Sequence, residues 1–123
     1  MIKLTFCVRR LPELSLEEFH RYWLEKHGPL VRRHARALNI RRYVQLHTLE
    51  SPLNDALRRS RDAMEPYDGV AELWWDSAEE MASGTRTPEG QEAARELLED
   101  ERRFIDLAHS SLWVGQEHEI LAG

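Results

Sequence analysis

Cysteine is nearly missing from this chain: Cys7 stands alone, which excludes an internal disulfide framework and fits a reducing compartment. No apolar run approaches the roughly 20 residues needed to cross a bilayer. The opening Met1-Ile2-Lys3-Leu4-Thr5 also lacks the layout of a signal peptide. Positive charge is not in excess, since 17 Lys and Arg stand against 22 Asp and Glu for a formal charge of -5. The summed field repels a polyanion and argues against a nucleic-acid partner. Neither a Gly-rich dinucleotide fingerprint nor a P-loop occurs, so a nucleotide cofactor has no visible docking point. What is present is an ordinary globular composition, 41% hydrophobic and 32% charged over 123 residues, enough for one domain with its own core. The expectation is a single cytoplasmic domain, 1–123, with no membrane or nucleic-acid partner. Its work then lies in a small-molecule site or a protein contact.

Patterning supplies the elements. Ile2 to Arg9 alternates apolar and polar residues and reads as a strand. Ser15 and Glu18 form a capping box that opens a helix at Leu16, with Leu16, Phe19 and Trp23 on one stripe. Gly28-Pro29 interrupts that helix, which either kinks or restarts with Pro29 in its first turn and runs through Leu38. Asn39 to Leu49 alternates again, and Ser51 to Pro66 reads as a long loop with at most one helical turn. Asp68-Gly69 launches a third strand, Val70 to Trp75. Ser77 with Glu80 opens a short helix ending near Gly84, and Thr87-Pro88-Glu89 opens another. Ala94, Leu97, Leu98, Phe104, Ile105 and Ala108 form its apolar face, with the charges from Arg95 to Arg103 on the solvated side. Ser111 to Leu121 reads as the last strand.

Strand, helix, strand, strand, helix, strand is the order of an α+β ferredoxin-like βαββαβ plait, with both helices on one face of a four-stranded antiparallel sheet. The other face then lacks a cover, and a second copy packed sheet against sheet would supply one, which predicts a homodimer. If Val44, Leu46, Ala71 and Leu73 face the helices, parity sends Tyr43, Gln45, His47, Glu72 and Trp74 to the open side. Thr5, Cys7 and Arg9 join them there. In a dimer that side becomes a lumen suited to acid–base work on a flat apolar or aromatic molecule. His47 is the leading base, with Glu72 on the next strand to orient it or to act alone. Tyr43 and Trp74 complete the expected pocket, His27 sits near its rim, and the loop from Ser51 to Pro66 covers its mouth. Gln45, Cys7, Arg9 and Trp23 are further candidates for substrate contact, although Cys7 and Trp23 suit plain core positions equally. His27 equally suits a structural clamp on the Pro29 break. Histidines 20, 27 and 34 recur every seven residues, but the break spoils their line and no metal site is expected.

The segment from Phe19 to Leu30, FHRYWLEKHGPL, resembles the signature F-x-x-Y-W-x-x-x-H-G-P-L of the EthD domain family. Asp68 to Asp76, Tyr43 to His47, and Asp100 to Asp106 are similar to its other recurrent stretches. The resemblance implies a dimeric α+β barrel in the cytoplasm. It also implies one of two kinds of role. The family's namesake accompanies a cytochrome P450 in ether degradation and is grouped with oxidoreductases, while similar domains serve aromatic polyketide pathways as cyclases, dehydratases or cofactor-free oxygenases. The expected function is therefore a small cofactor-independent enzyme acting on an apolar or aromatic molecule. The alternative is a non-catalytic binder that serves a neighbouring oxygenase.

Overall fold

The alternating segment at the N-terminus pairs on both sides and becomes the centre of the sheet. In a computed structural model describing Met1–Gly123, it forms β1 (Ile2–Val8). The other strands are β2 (Arg42–His47), β3 (Gly69–Trp75) and β4 (Ser111–Gly115). All neighbours are antiparallel, in the order β2-β3-β1-β4. This is the expected ferredoxin-like plait. Its helices are α1 (Leu16–Tyr22), α2 (Gly28–His34), α3 (Pro52–Arg61), α4 (Ala78–Gly84) and α5 (Pro88–Glu101). None of them is long and apolar enough to cross a membrane.

Local chemistry explains where the helices begin. The Ser15 hydroxyl accepts from the Glu18 amide at 3.0 Å and the Glu18 carboxylate from the Ser15 amide at 2.9 Å, a complete capping box. Ser77 and Thr87 each accept from the amide three residues on. The Gly28-Pro29 interruption does not break the helix. A π-helical turn, Trp23–His27, carries α1 directly into α2, and the Gly28 amide bonds the Trp23 carbonyl five residues back. Pro29 has no amide to give to Glu25, and a widened turn accommodates its ring where a regular one would clash.

Two buried clusters hold the layers together. Phe6, Val8, Phe19, Trp23, Ala71, Phe104 and Ile105 pack between α1 and the sheet centre. Val31, Leu38, Ala93 and Leu97 join α2 to α5, and Tyr43 and Leu73 touch both clusters. Gly69 makes room for this packing, because a Cβ there would lie 2.5 Å from the Trp23 ring and 2.5 Å from the Leu46 carbonyl.

Several expected boundaries need correction. The segment Ser51 to Pro66 is not a loop but contains the ten-residue helix α3, capped by the Ser51 hydroxyl with Pro52 in its first turn. Proline at that position starts a helix rather than excluding one. The last strand stops at Gly115, not Leu121, and the second covers Arg42–His47 only. Helix α5 ends at Glu101, and Phe104 and Ile105 are buried from the turns beyond it.

Candidate functional site

The register of β2 decides which side chains can meet. Val44 pairs with Glu72, Gln45 with Ala71 and Tyr43 with Leu73. Ala71 and Leu73 pair in turn with Phe6 and Leu4 on the helix side. Tyr43, Gln45 and His47 therefore lie under the helices, while Val44 and Leu46 share the open face with Glu72 and Trp74. The expected parity of β2 is inverted, and His47 and Glu72 stand on opposite faces of the sheet. No acid–base pair forms between them.

The polar row is accepted on the helix side because its groups are satisfied there. Gln45 Nε2 donates to the Trp23 carbonyl at 2.9 Å and to the Tyr43 hydroxyl at 2.7 Å. That carbonyl is the one the π-turn displaces from regular helical bonding. Gln45 Oε1 is left to accept from His47 Nε2 at 2.8 Å, which fixes the proton on Nε2 and leaves Nδ1 as the basic atom. The His47 ring lies flat on Trp23, with centroids 4.8 Å apart and planes 12° apart, and also stacks on His20, with centroids 4.5 Å apart. His20 is held by a 2.8 Å bond from its Nε2 to the Asp68 carbonyl. Burial, reinforced by His20, holds the His47 pKa below that of a free imidazole, so the ring is neutral at pH 7. Burial pushes the Tyr43 phenol up to about 12, so it stays protonated.

An open groove of about 740 Å³ runs between one helix face and the free edge of β2. Leu24, Gly28, Val31, Arg32 and Ala35 recur at helical spacing along one wall. Ile40, Arg41, Arg42, Tyr43, Gln45 and His47 form the other. Its size suits a small-molecule site. No residue of 51–66 lines it, so α3 does not cover its mouth as the loop reading expected.

His27 is not at the groove rim. It is 5% exposed and donates from Nδ1 to Asp100 Oδ2 at 2.8 Å. Tyr22 donates to Asp100 Oδ1 at 2.6 Å, and Arg103 Nη1 reaches the same oxygen at 3.2 Å. Burial pushes the Asp100 carboxyl up, but the bonds from Tyr22, His27 and Arg103 outweigh it and hold the group below the usual carboxylate range. Burial likewise lowers the His27 pKa, against the opposing pull of Asp100. Next to it, burial and then the Asp100 charge push Glu101 up to about 7. Asp100 and Glu101 were hidden within the charged run from Arg95 to Arg103. The available signal was spacing, because Asp100 falls three residues after Leu97 and four before Phe104, on the apolar stripe.

The remaining candidates lie elsewhere. Glu72 pairs with Lys3 on the open face. Trp74 is sandwiched there between Lys3 Nζ, 4.9 Å from the ring centroid, and Arg42 Cζ at 4.7 Å, with its Nε1 bonded to Glu117. Trp75 takes the helix side and donates from Nε1 to the Leu38 carbonyl at 2.8 Å. Cys7 pairs with Val70 on the open face, its thiol pKa raised by burial. Arg9 stacks on Tyr67 at 4.3 Å and bonds the Pro66 carbonyl, away from the groove. Trp23 is 1% exposed and meets the groove through His47 and Gln45.

A ferredoxin-like α+β domain with a helix-backed groove along an edge strand is thus the class to which the chain conforms. The EthD domain matches over residues 11–108, and the chain belongs to that family. Among solved structures it is similar to an EthD family protein of Bacillus halodurans, with 21% identity over 96% of this chain and 99% of that one and a TM-score of 0.63. A protein of Bacteroides fragilis described as dimeric and ferredoxin-like is 8% identical over 94% and 95% of the two chains, with a TM-score of 0.58. A candidate antibiotic biosynthesis monooxygenase of Deinococcus radiodurans is 11% identical over 99% and 97%, with a TM-score of 0.54. Comparison with curated proteins gives no match.

Proposed function

We propose that the chain is a cofactor-independent acid–base enzyme acting on an apolar or aromatic small molecule in the groove between α2 and β2. The observation that carries this is His47: a neutral imidazole lining the groove, its Nε2–H committed to Gln45 and its Nδ1 without a protein partner. Nδ1 takes a proton from an acidified carbon or hydroxyl of the ligand, and the imidazolium returns it to another ligand atom, with no electrons exchanged. Cyclisation and dehydration of an aromatic precursor both begin this way, and so does oxygenation through a substrate carbanion. The protonated Tyr43 phenol lines the same groove and is linked to His47 through Gln45. A reducing cytoplasm suits the unpaired Cys7 thiol. We also propose that two copies pair through their open sheet faces, as the description of the Bacteroides relative supports.

The test uses a neutral probe ketone, tetralone, in deuterated buffer. The chain is expected to catalyse exchange at the α-carbon, and His47→Gln to slow it by about 100-fold. Exchange that is equally fast in His47→Gln would overturn the catalytic role and leave a binding protein. Binding shifts of the neutral probe naphthol that cluster on Trp74 and Trp113, not on His47, would return the site to the open face.

A further inference from the structure

The groove carries charge of the opposite sign to the chain. Three arginines line it and no carboxylate does, although the chain bears a formal charge of -5. These arginines are poorly neutralised. Arg41 Nε lies 3.5 Å from Asp76 Oδ2, both side chains more than half exposed, which makes a weak pair. Arg42 also borders the groove, but its guanidinium lies over the Trp74 ring on the open face of the sheet, so the groove's own charges are Arg32 and Arg41. Arg32, on the outer turn of α2, forms no ion pair with any other part of the protein. Between these charges and His47 the walls are Leu24, Pro29, Val31, Ala35 and Ile40. An exposed guanidinium beside apolar walls leaves the charge of a ligand to complete the pairing.

We propose that the groove takes a planar ring ligand bearing a carboxylate, its anion held by Arg32 and Arg41 and its ring laid along Pro29, Val31, Ala35 and Ile40 towards His47. This rests on the groove being the binding site. The guanidinium fork matches a carboxylate through two parallel bonds. A phosphate is less well served. No lysine and no Gly-rich loop lines the groove, and the amides at the start of α2 are engaged because the helix runs on from the π-turn without a free end.

The experiment compares two probes that share a ring system, naphthoate and neutral naphthol, by calorimetric titration of the full chain. Wild type is expected to prefer naphthoate by about tenfold, and that preference should shrink as salt rises from about 50 to about 500 mM. Arg32→Ala with Arg41→Ala, both exposed positions, should abolish the preference while leaving naphthol affinity within about twofold. Naphthol binding with no preference for naphthoate in wild type would overturn the carboxylate assignment and leave the groove intact. So would a preference that survives in the double variant. If neither probe binds, the groove itself fails as a site and the assignment falls with it.

Discussion

Asp100 illustrates how one residue organises its surroundings. It is 5% exposed, and its two oxygens accept from Tyr22, His27 and Arg103. Removing the carboxylate orphans the buried His27 and the half-buried Tyr22 hydroxyl at once. Asp100→Ala is therefore expected to lower stability by about 3 kcal/mol in urea unfolding, against about 1 kcal/mol for Tyr22→Phe, which deletes a single hydroxyl. The neighbouring Glu101 behaves oppositely with pH. Its folded pKa of about 7 lies above the ordinary 4.5, so the folded state keeps a proton that the unfolded state has released. That contribution is full below pH 4.5 and is lost as the pH rises through 7. Glu101→Gln should accordingly raise the melting temperature at pH 8 and leave it nearly unchanged at pH 4. His27 and His47 have the reverse sign. Burial lowers both from 6.5, so their contribution is full above that pH and declines as the solution is acidified below it. Replacing His47 by Gln should make the acid-side loss of stability shallower. A wild-type and variant series melted across pH 4 to 8 would separate the two signs.

Among the elements, α4 and α5 meet at a contact that tolerates no side chain. A Cβ on Gly90 would fall 1.6 Å from the Gly84 carbonyl oxygen, a backbone atom that cannot swing aside. Gly90→Ala should push the start of α5 away from α4 and cost about 1–3 kcal/mol. Gly115→Ala, with nothing within 4 Å, should be close to neutral by the same thermal melt. Helix starts such as Ser15, Ser77 and Thr87 were legible because each cap is written in adjacent residues. Ser51 also caps a helix, accepting from the Leu53 amide two residues on, but was obscured by Pro52, which reads as a breaker unless its first-turn position is recognised. The inversion of β2 had a different origin. Alternation shows that Val44 and Leu46 oppose Tyr43, Gln45 and His47, but not which row faces the helices. That choice depends on the Trp23 carbonyl, supplied by a π-turn in another element, and on Gly69, which lets Trp23 lie against the sheet. Neither is visible within the period of the strand. The polar row is tolerated under the helices because Gln45 links Tyr43 and His47 to each other and to the Trp23 carbonyl.

For the whole molecule, the uncovered sheet face sets the strongest constraint. Helices α1, α2 and α5 lie on one side, and the other carries Cys7, Val44, Leu46, Val70 and Trp113, with Leu46 59% and Trp113 50% exposed. One end is closed by the Lys3–Trp74–Arg42 sandwich and Glu117, so apolar area remains towards the opposite end. A face of this kind is self-complementary under a two-fold axis, where apolar halves meet and the charged ends lie outside. Trp113 is then the expected anchor, being the largest exposed aromatic on the face. Sedimentation should give a dimer at micromolar concentration, and Trp113→Asp should weaken association by at least about 30-fold, the loss typical of a buried tryptophan at an interface centre. The groove lies wholly within one chain, so the dissociated variant should still bind naphthol with unchanged affinity. A stable wild-type monomer would refute the pairing. A monomeric variant that loses naphthol would instead show that the partner helps to form the groove, which would move the site to the boundary between two copies.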